Sequence, residues 1–208
     1  MNKTIYLIRH GKIHNPDDIV YGSGIVMHLT DEGRAQLKSL AIKIHEKGEV
    51  PEKIISSPLE RAVDSAMILA KEWSISGIEE EPDLKDSCVP AVEGKKMSFL
   101  KDLYKKNTDE YSEEFVKLGN ESREDIGRRM MEVFKNAVAQ SPTTALVSHG
   151  DPIFFLMFKL ENPGTQIPLM TRADIDEIPG YLPKGHAWKL NIDEYGSILS
   201  KEFITPKD

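Results

Sequence analysis

What this chain lacks narrows it quickly. Its 208 residues contain one cysteine, Cys88, so no disulfide can form within it, and a reducing compartment fits. Cys88 itself reads as an inert structural thiol. Long apolar runs are missing too. The most apolar later stretch, Ile153 to Phe158, is far too short to cross a bilayer. Met1-Asn2-Lys3 leads into too few apolar residues for a signal peptide. A cytoplasmic protein with no membrane partner is therefore expected. Basic residues are outnumbered, 27 Lys and Arg against 34 Asp and Glu, for a formal net charge of −7. That balance excludes a general nucleic-acid binder with a broad basic face, and any anionic ligand must find a local basic island. Repeats and low-complexity tracts are absent.

What is present is a globular composition, with 39% hydrophobic and 29% charged residues. The length suits one α/β unit over residues 1–208, with a modest insertion. Lys3 to Ile8 reads as a short buried strand, and it runs into Arg9-His10-Gly11. Neighbours on a strand point to opposite faces, so Arg9 and His10 can share a site only if the chain leaves the strand there. Gly11 permits that departure. After a loop from Lys12 to Leu29, Thr30 can cap a helix whose stripe is Leu37, Leu40, Ala41 and Ile44. A second strand over Lys53 to Ser56 exits into Ser57-Pro58-Leu59-Glu60, which has the spacing of a capping box with Ser57 at the cap. Arg61 follows in the first turn, where it reads as a solvated side chain whose loss would barely change stability.

The pattern weakens from Ser74 to Asn120. A short strand over Ile75 to Ile78 and short helices over Met97 to Lys105 and Glu110 to Leu118 are predicted. Residues 82–120 read as a helical, cap-like insertion over the carboxyl-end face of the sheet. Ser122 to Ala139 is a clear helix, with Arg128 and Arg129 assigned to its solvated side. Thr143 to Ser148 is a buried strand ending at His149-Gly150-Asp151, and a helix opens near Pro152. The tail holds two strands, Ala187 to Ile192 and Ser197 to Phe203, with a hairpin turn between them.

The fold class is thus α/β: three layers, α/β/α, around a mostly parallel sheet. Arg9-His10, Arg61 and His149 each lie just past the carboxyl end of a predicted parallel strand. In open α/β sheets those ends share one crevice. Any one of these residues is unremarkable; the coincidence of all three points to an anion such as phosphate. A metal site built on the two histidines is disfavoured. The arginines would repel a cation, and no third ligand stands at zinc-like spacing. No cofactor is called for.

The blocks Leu7-Ile8-Arg9-His10-Gly11, Ser56-Ser57-Pro58-Leu59-Glu60-Arg61-Ala62 and Val147-Ser148-His149-Gly150 resemble the signature blocks of the histidine phosphatase superfamily, phosphoglycerate mutase-like branch. Leu29-Thr30-Asp31-Glu32-Gly33 and Glu121-Ser122 are similar to two further family motifs, in the same order. The resemblance implies that His10 is a nucleophile forming a phosphohistidine. It also implies that Arg9, Arg61 and His149 hold the phosphoryl oxygens. The family's proton donor is usually the Glu of a Leu-x-Glu segment; here Leu84-Lys85-Asp86 makes Asp86 the choice, one methylene shorter. Glu93 and Asp151 are fallbacks. Lys12 stands where the family often has a substrate-contacting residue.

A phosphatase acting on a small phosphorylated substrate is the favoured function. Phosphoglycerate mutase-type transfer and a catalytically weak phosphate-binding regulatory module are the alternatives. Specificity is assigned to the Lys12 to His28 loop, the insertion and the tail. A homodimer is compatible with all of this.

Overall fold

The computed structural model describes residues 2–48, 50–169, 179–194 and 196–206. Its six strands are β1 (Lys3–Arg9), β2 (Lys53–Ser56), β3 (Glu79–Glu80), β4 (Thr143–Ser148), β5 (Ala187–Ile192) and β6 (Ile198–Ile204). They form one sheet in the order β3-β2-β4-β1-β5-β6. The first four are mutually parallel, while β5 and β6 run antiparallel at one edge. The helices are α1 (Asp31–Glu46), α2 (Glu60–Trp73), α3 (Met97–Lys105), α4 (Glu113–Val116), α5 (Arg123–Gln140) and α6 (Gly150–Glu161).

Period-two alternation builds the layers. On β1 and β4, Ile5, Leu7 and Leu146 face one core, and Tyr6, Ile8, Ala145 and Val147 face the other. The first core is closed by Ile126, Met130 and Phe134 of α5 and by Ile153 and Leu156 of α6. The second is closed by Leu37, Leu40 and Ile44 of α1 and by the small side chains Ala62, Ala66 and Ala70 of α2. The same first core takes Leu84, Val89, Val92, Leu100 and Phe115, so the insertion packs its apolar side chains onto the sheet's own core.

The caps show why some boundaries fall where the sequence puts them. Thr30 accepts from the Gly33 amide at 3.0 Å, and Ser122 accepts from the Asp125 amide at 3.1 Å. Three expectations are corrected. The helix after β2 begins at Glu60, with Leu59 at its cap; leucine has no side-chain acceptor to bond there, and the Ser57 hydroxyl accepts from the Leu59 amide just ahead of the helix. The strand expected over Ile75 to Ile78 is instead Glu79–Glu80. Ser74 ends α2 in a left-handed conformation, and Ile75 and Ile78 turn their side chains into the second core. The helix expected over Glu110 to Leu118 is the single turn Glu113–Val116. In the predicted hairpin turn, Tyr195 lies outside the described residues.

Candidate active site

Three parallel strands deliver the basic groups to one rim. Strand β1 ends at Arg9, and the chain then departs, which lets His10 turn to the same place. The departure needs a close approach. A Cβ on Gly11 would sit 2.5 Å from the Gly33 carbonyl oxygen, and one on Gly33 would sit 2.2 Å from the Lys12 carbonyl oxygen. Strand β4 hands His149 to the cap of α6. There Gly150 leaves room for Tyr181 and Arg9, since a Cβ would lie 2.1 Å from the Tyr181 hydroxyl oxygen.

The two imidazoles are neighbours, with ring centroids 5.2 Å apart. His10 places Nδ1 2.8 Å from the Gly11 carbonyl oxygen. A carbonyl can only accept, so Nδ1 carries the proton and Nε2 keeps its lone pair. Burial first, then His149, Arg61 and Arg9, push the His10 pKa well below the usual histidine value, so the ring is neutral. His149 Nε2 lies 2.8 Å from Ser57 Oγ, which itself accepts from the Leu59 amide at 3.3 Å. In the tautomer where the Ser57 hydroxyl donates to Nε2, His149 turns an Nδ1–H into the site. Burial and the adjacent Arg61 lower its pKa as well.

Arg61 is fully buried. Its Nη2 donates to the Gly22 carbonyl at 2.7 Å and to Asp86 Oδ2 at 2.8 Å. Arg9 donates from Nη1 to the Leu182 carbonyl at 2.8 Å. Aromatic rings flank both guanidinium groups, Tyr181 at 5.1 Å from Arg9 and Tyr21 at 4.9 Å from Arg61. Five buried polar atoms here have no hydrogen-bond partner: Arg9 Nε, His10 Nε2, Arg61 Nε and Nη1, and His149 Nδ1. These are the polar atoms that a water or an anion entering the site would satisfy.

The carboxylates stand on the other side. Asp86 Oδ2 lies 3.6 Å from His149 Nδ1, and Asp86 Oδ1 accepts from the Ser87 amide. Asp151 accepts from the hydroxyls of Tyr111 and Tyr181 on its two oxygens. Burial, with Asp86 nearby, raises the Asp151 pKa. Glu110 takes the Tyr104 hydroxyl at 3.1 Å, and burial followed by Asp151 pushes its pKa up to about 8. A cavity of about 320 Å³ lies on the carboxylate side, lined by Arg9, Tyr21, Asp86, Glu110, Asp151 and Tyr181 among others; His10, Arg61 and His149 are fully buried and lie outside its lining.

Residues 5–177 match the family profile described as the histidine phosphatase superfamily (branch 1). The chain belongs to that superfamily. Among sequence relatives, a metal-independent phosphoserine phosphatase of Arabidopsis thaliana is 28% identical over 70% of this chain and 63% of its own length. An uncharacterised protein of Mycobacterium tuberculosis is 35% identical over 40% of each chain, so the match spans well under half of that relative. Among solved structures, phosphoserine phosphatase of Entamoeba histolytica in complex with 3-phosphoglyceric acid superposes with a TM-score of 0.74 at 20% identity. That match covers 99% of this chain and 98% of the other. A mycobacterial glucosyl-3-phosphoglycerate phosphatase gives 0.71 at 17% identity over the whole of both chains.

Within this superfamily fold, Arg9, His10, Arg61, Asp86 and His149 come together as the sequence motifs anticipate. Lys12 does not join them: its ammonium pairs with Glu32 in the first turn of α1, half exposed. Glu93 serves the preceding loop, accepting from the Gly24 amide at 2.9 Å, and it does not line the cavity. Arg129 is a correction. It is buried and paired with Glu121 at 2.7 Å. Position 129 falls three residues after Ile126 and four before Val133, on the buried stripe itself, and that spacing is the signal that should have placed it inward. Tyr21, Tyr111 and Tyr181 carry no such signal, because each reaches the site from a loop.

Proposed function

We propose that this protein is a phosphatase that hydrolyses a small phosphate monoester through a phosphohistidine on His10. The observation that carries the reading is the set of five unpartnered buried atoms around one point, four of them N–H groups and one a nitrogen lone pair. A phosphoryl group bound there would take the donors on its oxygens and leave its phosphorus facing His10 Nε2. In the first step the Nε2 lone pair forms a bond to phosphorus and the bond to the leaving oxygen breaks. Asp86 gives that oxygen a proton. The incoming dianion competes with Asp86 for Arg61, which turns the carboxyl towards the leaving oxygen. In the second step water attacks phosphorus and returns a proton to Asp86. The phosphorus–nitrogen pair goes back to Nε2, and inorganic phosphate leaves. Arg9, Arg61 and His149 hold the phosphoryl charge throughout, which is the role a metal plays in other phosphatases.

Hydrolysis is the reading preferred to mutase-type transfer. The relatives named for phosphoserine and glucosyl-3-phosphoglycerate phosphatases support the same class of reaction. The test is a panel of phosphorylated metabolites, sugars and phosphopeptides without added metal. Free phosphate should appear from a small monoester with no isomerised product. Isomer formation, or no turnover on any member, would overturn the reading.

A further inference from the structure

We infer that Arg129, clamped by Glu121, is the positioning residue that sets the proton donor of this site. The inference rests on the reading of Asp86 as that donor. The segment bearing Asp86 has little regular structure of its own: a 3-10 turn over Pro82–Leu84 is followed by irregular chain. Its backbone is instead gathered by one guanidinium from α5. Arg129 Nη1 donates to the carbonyls of Asp83 at 2.5 Å and Lys85 at 2.9 Å, and Nη2 reaches the carbonyl of Asp86 itself at 3.3 Å.

Glu121 completes the clamp from both ends. Its oxygens accept from Arg129 Nε at 2.7 Å and Nη2 at 3.1 Å. One oxygen also accepts from the Cys88 amide at 3.2 Å, while the Glu121 amide donates to the Cys88 carbonyl at 2.7 Å. Residues 83 to 88 are therefore fastened on both sides of Asp86. The fastener is a charge pair of a buried Arg129 and a half-buried Glu121, neither of which lines the cavity. A planar fork with five donors can gather carbonyls and a carboxylate at once; an ammonium cannot. Aspartate sharpens the need. With a side chain shorter than the family's usual glutamate, its carboxyl reaches the leaving oxygen only if the backbone is set correctly.

The consequence is specific to the leaving group. An alkoxide needs a proton, whereas a nitrophenolate leaves without one, so displacement of Asp86 should penalise alkyl phosphates more than aryl phosphates. The experiment compares kcat/KM, which reports only the phosphorylation half-reaction, for glycerol phosphate and p-nitrophenyl phosphate in wild type, Asp86→Asn, Arg129→Lys and Arg129→Gln. Asp86→Asn should lower the alkyl-to-aryl ratio by roughly 10²–10⁴-fold, the usual span for general acid catalysis. Arg129→Lys should lower it by about 10-fold or more, and Arg129→Gln further.

A purely structural role would lower both substrates together and leave the ratio in place. If Asp86→Asn moves the ratio and both Arg129 variants leave it unchanged, the positioning role is wrong and the donor stands. If Asp86→Asn leaves the ratio unchanged, the donor assignment fails and the inference falls with it. Should both Arg129 variants fail to fold by circular dichroism, Glu121→Gln, which removes the anchor's charge while keeping its shape, takes their place with the same two outcomes.

Discussion

The two sides of this site are built by different means. The basic side is made of residues at strand ends and helix starts: Arg9 and His10 at the end of β1, Arg61 in the first turn of α2, and His149 at the cap of α6. Each is fixed by the sheet, and each sits within a short contiguous motif. The acid side is assembled from a segment with little secondary structure, and its geometry comes from long-range ties. Arg129 and Glu121 grip the backbone around Asp86, and the Tyr111 hydroxyl bridges Ser87 and Asp151. The first side is rigid because its supports are the core; the second is only as rigid as its buried polar contacts.

The two sides also titrate in opposite senses. His10 and His149 are held neutral below their ordinary range, so the unfolded chain binds protons that the folded one refuses. Their contribution is intact above about pH 6.5 and is lost as pH falls below it. Glu110 is held protonated up to about pH 8. Its contribution is intact below the ordinary carboxyl value, near pH 4.3, and is lost as pH rises through 8.

Among the variants that test the link between the two sides, the largest effect is expected at the residue that joins them. Arg61→Ala should lower kcat/KM by roughly 10²–10³-fold, as for loss of one transition-state donor. It should also destabilise the protein by about 3–5 kcal/mol, because Asp86 is left as an unpaired, largely buried charge. Chemical denaturation checks the second part, and unchanged stability would show that the two sides are not coupled through this pair. Next comes Glu110→Gln. Its melting temperature should match wild type near pH 4.5, rise above it progressively towards pH 8, and keep a constant lead beyond that. Parallel curves would contradict the titration assigned to Glu110. The smallest effect belongs to Lys12→Ala, which removes only an exposed pair worth about 0.2–1 kcal/mol and should leave kcat/KM within about twofold. A tenfold loss would bring Lys12 back to the substrate.

The same contrast explains what could be read from the chain alone. Buried strands, helix stripes and the caps at Thr30 and Ser122 are local, periodic signals, and they yield the sheet; Arg9, His10, Arg61 and His149 are marked out by their places at strand ends and by the motif blocks that hold them. At Ser57 the sequence signal is only partly right: its hydroxyl accepts from the Leu59 amide, two residues on, and also meets the His149 ring, a use that only the tertiary fold shows. Arg61 reads as solvated from its place in a first turn, and only the tertiary fold shows it buried against Gly22 and Asp86. Arg129 was sent to the surface by its charge although its spacing put it inside. The tyrosines at 21, 111 and 181 come from loops, where no period announces a direction.

The central claim is that His10 Nε2 takes the phosphoryl group. Wild-type protein quenched during turnover of a labelled phosphate monoester should carry acid-labile, base-stable phosphate, and His10→Ala should carry none. Label retained on the His10→Ala protein would put the nucleophile elsewhere and contradict the account.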